Sequence, residues 1–162
     1  YYDLLKTSFS RYYKMKDSLD AASEELKRVD HLIYVSLKYT RTTDVLKNVI
    51  DRMITTCNCL MNALAEHAKQ TGKAKNISDL PMMRCKELKR LYADDATLTA
   101  LLDFYILLRT LNKAEYSSIN EYRRHVTLIA QLEEGEYHVH IDKVTEFYKT
   151  LKQYFDYIKL LR

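Results

Sequence analysis

Basic residues at helical spacing are the side chains of this sequence best suited to bind an anion. Five polar residues follow one another on one predicted helix face: Tyr34, Lys38, Arg41, Asn48 and Arg52. Three cations on one face can hold phosphate groups or the acidic surface of a partner. The alternative is a solvated face, on which ion pairs such as Arg41–Asp44 and Lys47–Asp51 connect neighbouring turns.

A second basic group lies later in the chain, where Arg123, Arg124 and His125 are consecutive. We predict a helix here, because Ser118 and Glu121 have the spacing of a capping box. On a helix the two arginines point about 100° apart, so at most one of them continues the basic surface. His125 falls on the flank of the apolar stripe, where a packed structural histidine is the alternative to a functional one.

Asp103 interrupts the most apolar segment of the sequence and is a candidate buried acid. A carboxylate that faces the interior needs a cation, and Arg41, Arg52 or Arg124 are the candidates. Such an acid–base pair is either structural or part of a functional site. The alternative is that Asp103 faces water, which implies nothing special.

His138 and His140 are two residues apart, which suits a metal only in an extended segment. There the two imidazoles share a face and could bind a zinc-type ion, whereas on a helix they diverge. No cysteine or HExxH pattern supplies further ligands, and Cys57 and Cys59 diverge on their predicted helix. We therefore predict no metal site.

The composition excludes several classes of protein. Only 2 glycines and 1 proline occur among 162 residues, which rules out glycine-rich phosphate loops and predicts few tight turns. No arrangement of catalytic residues is recognisable, which favours a non-enzymatic protein without deciding the question, and we predict no cofactor. No apolar run reaches the length of a membrane span. The odd count of 3 cysteines indicates a reducing, cytoplasmic location. The net charge of +4 is too small to identify nucleic acid as the partner.

Apolar residues at three-four spacing predict long helices. Residues 30–69 form one such stripe, which would be roughly 60 Å long unless it bends at the threonines near residue 42. An unbent helix would make the domain elongated and its overhang a surface for a second copy. Pro81, after Ser78 or Asp79 as cap, and Asp94–Asp95 mark two further helix starts. Residues 98–111 are apolar nearly all round, which is typical of a central helix.

The predicted fold is therefore all-α: a single domain over residues 1–162, an elongated bundle of five or six helices around a central apolar helix. The last helix follows Gly135, and only residues 137–140 are expected to be extended. Residues 1–16 are interpreted as an extended or docking N-terminal segment. Its tyrosines, Tyr1, Tyr2, Tyr12 and Tyr13, either pack onto the bundle or another subunit, or stack on single-stranded bases.

Two runs of residues resemble known helical proteins. Residues 31–45 and 121–128 look like small uncharacterised helical-bundle proteins of archaeal type, a family that implies no activity. A fainter similarity is to HEPN domains, helical bundles of nucleotide-binding and RNA-cleaving modules whose signature is an arginine and a histidine separated by four to six residues. Here Arg123 and Arg124 directly precede His125, so the resemblance implies a relative without that cleavage motif.

Two functional hypotheses follow. The first is a non-enzymatic cytoplasmic binding or assembly module that forms a homodimer through its helices. The second is an HEPN-like protein associated with RNA or a nucleotide. Its contact residues would be Lys38, Arg41, Arg52, Arg123, Arg124 and His125. The second hypothesis requires most of these side chains to meet in one groove, and neither involves a membrane.

Overall fold

Long helices dominate the protein, as the shortage of glycine and proline predicts. The computed structural model describes the backbone of residues 2–161 and the side chains of residues 14–161. Its helices are α1 (Tyr2–His31), α2 (Leu37–Tyr39), α3 (Thr43–Gln70), α4 (Pro81–Leu91), α5 (Ala96–Lys113) and α6 (Ile141–Lys159). A π-helical segment, Leu32–Ser36, joins α1 to α2. Its strands are β1 (Tyr116–Ile119), β2 (Thr127–Leu132) and β3 (Gly135–His140). None of the helices in the described range is long and apolar enough to cross a membrane.

The first helical rod runs from α1 through the π-helical segment into α2. Asp30 does not cap a new helix, and its carboxylate instead accepts the Tyr148 hydroxyl of α6 at 2.8 Å. Val29, Ile33 and Leu37 are buried and spaced by four residues. On an α-helix of 3.6 residues per turn, side chains at this spacing drift gradually away from one face. The wider π-helical turn counters this drift and keeps the three side chains on the core. The backbone of residues 2–16 belongs to this rod and is helical rather than extended. The side chains of Tyr1, Tyr2, Tyr12 and Tyr13 lie outside the described residues.

The predicted helix over residues 30–69 is broken at the threonines. Thr40 and Thr42 have extended backbone angles, and the Thr42 side chain caps α3 by accepting the amide of Val45 at 3.3 Å. β-Branched threonine is a weak helix former and a good cap, so the break falls where helix propensity is lowest. Of the two alternatives for residues 30–69, a helix that bends at the threonines and an unbent helix that overhangs the domain, the first is confirmed.

Helix α3, and not α5, occupies the centre of the bundle. It packs against α1, α4, α5 and α6, and its core-facing side chains, including Leu46, Met53, Leu60 and Leu64, are fully buried. Helix α5 is apolar but leaves Asp103 and Ala100 exposed. The placement of residues 98–111 as the central helix is therefore wrong.

The helix starts at Pro81 and Asp95 are confirmed, with one change. Asp95 caps α5 through the amide of Leu98 at 3.1 Å. Pro81 opens α4, but its N-cap is Leu80, which makes no side-chain capping bond. The Ser78 hydroxyl accepts the amide of Leu80 at 3.2 Å instead of capping the helix itself.

A three-stranded antiparallel sheet replaces the helix predicted after Ser118. The predicted all-α class is therefore roughly right, since the fold is mostly helical with one small sheet. Strand β2 lies in the middle, paired with β1 and β3. Val126, Leu128 and Ala130 are fully buried at alternate positions, the period of a strand. The extended conformation expected at residues 137–140 is confirmed in β3.

Candidate functional site

The loop between β1 and β2 brings the second basic group to the N-terminal end of α3. Asn120 and Tyr122 have left-handed backbone angles, with φ of 59° and 65°, which non-glycine residues seldom adopt. The Asn120 side-chain amide donates to the carbonyl of His125 at 3.3 Å, and the Thr127 hydroxyl donates to the same carbonyl at 2.9 Å. These bonds hold the loop in one tight conformation.

Glu121 fastens this loop to the first turn of α3. Its carboxylate accepts the Thr43 hydroxyl at 2.6 Å and the Thr43 amide at 3.3 Å, and Ser118 lies 2.7 Å from the same hydroxyl. The amide of Tyr122 also donates to the carbonyl of Arg41 at 2.6 Å. The hydrogen bonds from Thr43 hold the pKa of Glu121 below its ordinary value, because they favour the charged form.

A cleft of about 360 Å³ opens where this loop, the break before α3 and the start of α6 meet. It is lined by Arg41, Arg124, His125, Thr127, His140, Ile141 and Asp142. The lining thus combines two arginines and two histidines with one aspartate. The excess of donors and of positive charge suits an anion.

The two arginines of the cleft have no acidic partner within ion-pair distance in the described part of the chain. Arg41 is half-buried, and its Nε is a buried donor without a hydrogen-bond partner. Arg124 is exposed at the opening. A buried donor without a partner is unfavourable, so the protein itself leaves the Arg41 guanidinium incompletely satisfied.

His140 links the cleft to α6. It is the N-cap of that helix, and its Nδ1 accepts the amide of Lys143 at 3.2 Å. Since Nδ1 supplies a lone pair to this bond, the neutral ring carries its proton on Nε2. His140 therefore keeps one ring donor for a ligand, beside the N-terminal end of a helix dipole that also favours an anion.

Only three of the six predicted contact residues, Arg41, Arg124 and His125, meet in the cleft. The break before α3 removes Lys38 and Arg52 from the predicted common stripe. Lys38 is exposed on α2, and Arg52 lies 3.5 Å from Glu25 of α1. Arg123 is exposed beside Arg124 but does not line the cleft.

Two interpretations of single residues are wrong. His125 is not packed in a core, because it lies in an exposed loop instead of on a helix. Asp103 is not a buried acid: its side chain is 56% exposed and lies 2.5 Å from Lys89 rather than near any of the predicted arginines. The ion pairs expected from Arg41 to Asp44 and from Lys47 to Asp51 are also not formed.

Other groups considered for chemistry lie apart from one another. His138 Nε2 is 3.3 Å from Glu136, whereas His140 caps α6. Within the described range, no group of three or more metal-binding side chains is close enough to hold an ion. Cys57 is buried on α3, and its burial raises the pKa of the thiol far above the usual range.

The sequence does not identify Thr127, His140 or Asp142 as parts of an anion site. The spacing of His138 and His140 suggests only a metal ligand, although the position of His140 before Asp142 has the pattern of a helix start. Thr127 gives no signal in the sequence, because it reaches the cleft only when residues 127–132 form a strand.

Comparison of the chain with protein-family models, with curated proteins and with solved structures gives no match. The interpretation of the cleft therefore depends on its own geometry.

Proposed function

We propose that this protein is a non-enzymatic binding module whose cleft takes a phosphate group of RNA or of a nucleotide. The observation that supports this most is the pair of arginines, Arg41 and Arg124, that line one cleft without acidic partners. Guanidinium groups bind phosphate oxygens in pairs of parallel hydrogen bonds. His125 and His140 add donors on the same ligand.

Tyr122 favours a single-stranded RNA over an isolated phosphate. Its side chain is 79% exposed, although its backbone is fixed to Arg41 in a conformation unfavourable for a large residue. An exposed aromatic ring beside cationic groups is a platform on which a base can stack. Asp142 offers an acceptor for a ribose hydroxyl, the group that distinguishes RNA from DNA.

The direct test is binding of a fluorescently labelled single-stranded RNA, followed by anisotropy at fixed salt. We expect Arg124→Ala to weaken binding by about tenfold, since one charge-assisted contact is lost. Arg123→Ala is the matched control, because it removes the same charge from the neighbouring exposed residue outside the cleft. It should change the affinity less than about twofold.

Equal losses in the two variants would show that the loop attracts RNA only by its overall charge. No binding of RNA by the unmodified protein, together with no binding of nucleoside mono- or triphosphates, would exclude the proposal. Displacement of the RNA by a mononucleotide at low concentration would identify the nucleotide as the ligand instead.

Self-association is a second candidate, supported by a different surface. Tyr34, Val35 and Tyr39 are exposed to 48%, 41% and 80% along the π-helical segment and α2. Neighbouring exposed apolar side chains are typical of interaction surfaces. We infer a homodimer through this face, in a cytoplasmic protein. Sedimentation velocity at tens of micromolar should show a dimer that Tyr39→Glu dissociates, and a monomer of the unmodified chain would exclude it.

A further inference from the structure

A second cleft, remote in sequence from the first, contains a buried arginine that forms no ion pair with the described residues. The cleft has a volume of about 320 Å³, and α1, α3 and the segment leading into α4 form its walls. Arg84 lies at its base and is only 7% exposed. The phosphate-binding proposal makes no use of this cleft.

The hydrogen bonds of Arg84 leave part of its guanidinium unsatisfied. One terminal nitrogen donates to the side-chain oxygen of Asn62, and the other lies 3.5 Å from the carbonyl of Asn58. Its Nε is buried without a partner, and no carboxylate among the described residues lies within ion-pair distance. A buried guanidinium is ordinarily paired with an acid, because an uncompensated charge in the interior is strongly unfavourable. Burial accordingly lowers the pKa of Arg84.

The other charges of the cleft limit what the missing partner can be. Glu66 is paired with Lys69 at 3.6 Å. Lys14 of α1 has no ion-pair partner among the described residues, and the same is true of Asp17 and Asp79. A phosphate dianion bound to Arg84 would therefore lie near two carboxylates that form no ion pair within the described range, one of which, Asp79, already acts on Arg84. A ligand with one carboxylate and one ammonium group would complement both kinds of charge.

We propose that this cleft binds a small zwitterion of the α-amino-acid class. The ligand carboxylate binds the guanidinium of Arg84, and its ammonium group binds Asp79, the carboxylate of the cleft whose charge acts on Arg84. The terminal nitrogens of the guanidinium supply the donors, because each carries a second N–H group beyond the one directed at Asn62 or Asn58. The hydroxyl of Ser18 or Ser78 provides a further polar contact at the cleft wall. The cleft volume accommodates an amino acid and excludes a folded partner.

Isothermal titration of the full chain with each of the twenty standard free amino acids tests this proposal, with acetate and inorganic phosphate as comparison ligands at constant ionic strength. At least one amino acid should bind with a Kd below about 1 mM, and both comparison ligands at least about tenfold more weakly. Arg84→Lys should weaken the binding of that amino acid by about tenfold, because lysine cannot form paired hydrogen bonds to a carboxylate. Arg90→Lys, on the exposed side of the same helix, should leave the affinity unchanged.

Asp79→Asn keeps the test valid if the arginine variant is unstable, since Asp79 is exposed and makes no ion pair. It should weaken amino-acid binding by about fivefold, whereas Asp20→Asn on the exposed face of α1 should not. The proposal is overturned if no amino acid binds at about 10 mM. It is equally overturned if phosphate binds as tightly as the best amino acid, or if Asp79→Asn leaves the affinity unchanged.

Discussion

At the scale of single residues, the first cleft depends most on Arg41. Its carbonyl is fixed by the amide of Tyr122, while its Nε is buried and has no hydrogen-bond partner. This backbone bond positions Arg41 beside the cleft before a ligand arrives, so little ordering of the backbone is needed on binding. Glu121 maintains this arrangement, because it fixes the loop to α3 beside Arg41.

Replacing Glu121 by Gln should therefore lower stability in a pH-dependent way. The hydrogen bonds from Thr43 depress the pKa of Glu121 in the folded protein, so the unfolded chain binds a proton more readily at acidic pH. The stabilisation is complete above the ordinary value of 4.5 and is lost as the pH falls through the depressed folded value. Urea unfolding at several pH values should show the largest deficit of Glu121→Gln near neutral pH.

Glu134→Gln, in the exposed turn before β3, provides the matched control and should leave the stability profile unchanged. If the deficit of Glu121→Gln were as large at pH 3 as at pH 7, its charge would not be the source of the stabilisation.

At the scale of elements, the sequence predicts the helices well and the sheet poorly. Pro81 and Asp95 identify helix starts because they act within their own helix. Ser118 and Glu121 have the spacing of a capping box, but both side chains contact the hydroxyl of Thr43 at the start of α3, 75 and 78 residues earlier. A local pattern cannot reveal which helix a side chain caps when the helix is distant in sequence.

The same limit applies to the cleft. Arg41, Arg124 and His125 could be recognised as a candidate set by residue type, and the structure brings these three together. The predicted stripe also included Arg52, because residues 30–69 were treated as one face. The break at Thr42 changes the direction of the chain. A helical period that is counted across the break therefore places Arg52 on the wrong face.

Replacement of Tyr122, a loop residue with a strained backbone, should affect the stability of the protein and its RNA binding in different ways. Tyr122→Gly removes the unfavourable left-handed conformation of a large side chain, worth about 1–2 kcal/mol, while glycine loses about 0.5–1 kcal/mol in backbone entropy. We expect the free energy of unfolding to stay equal or rise by about 1 kcal/mol. RNA affinity should fall by about tenfold, because the stacking surface is lost.

Urea denaturation and RNA anisotropy on the same samples check this expectation. Tyr122→Phe is the control for the ring and should retain binding. Full RNA affinity of Tyr122→Gly would show that the exposed ring takes no part, and a marked loss of stability would show that the tyrosine supports the loop instead.

At the scale of the whole molecule, α3 is the helix against which the others pack. It packs against all four other long helices and also contacts β2, so its side chains contribute to most of the interior. Leu60→Ala on α3 should lower the free energy of unfolding by about 2–5 kcal/mol, as expected for a fully buried leucine. Leu160→Ala, at a side chain 83% exposed, should change it by less than about 0.5 kcal/mol. Calorimetry of both variants that found similar small losses would contradict a core centred on α3.

The charge of the molecule as a whole is too small to hold a nucleic acid without a local site. Lysine and arginine number 26 against 22 acidic residues, and several cations are paired at the surface. Unpaired arginines concentrated in one cleft can still provide specific phosphate contacts. Binding to RNA should therefore depend on a few identifiable cations and not on the average charge.

The salt dependence of RNA binding tests this claim most directly. Each phosphate contact on a single strand contributes about 0.7 to the slope of log K against log salt, because bound counter-ions are released. For Arg41→Ala combined with Arg124→Ala, we expect the magnitude of this slope to fall by about 1.4 relative to the unmodified protein. An unchanged slope in the double variant would contradict the assignment of the cleft as the phosphate site.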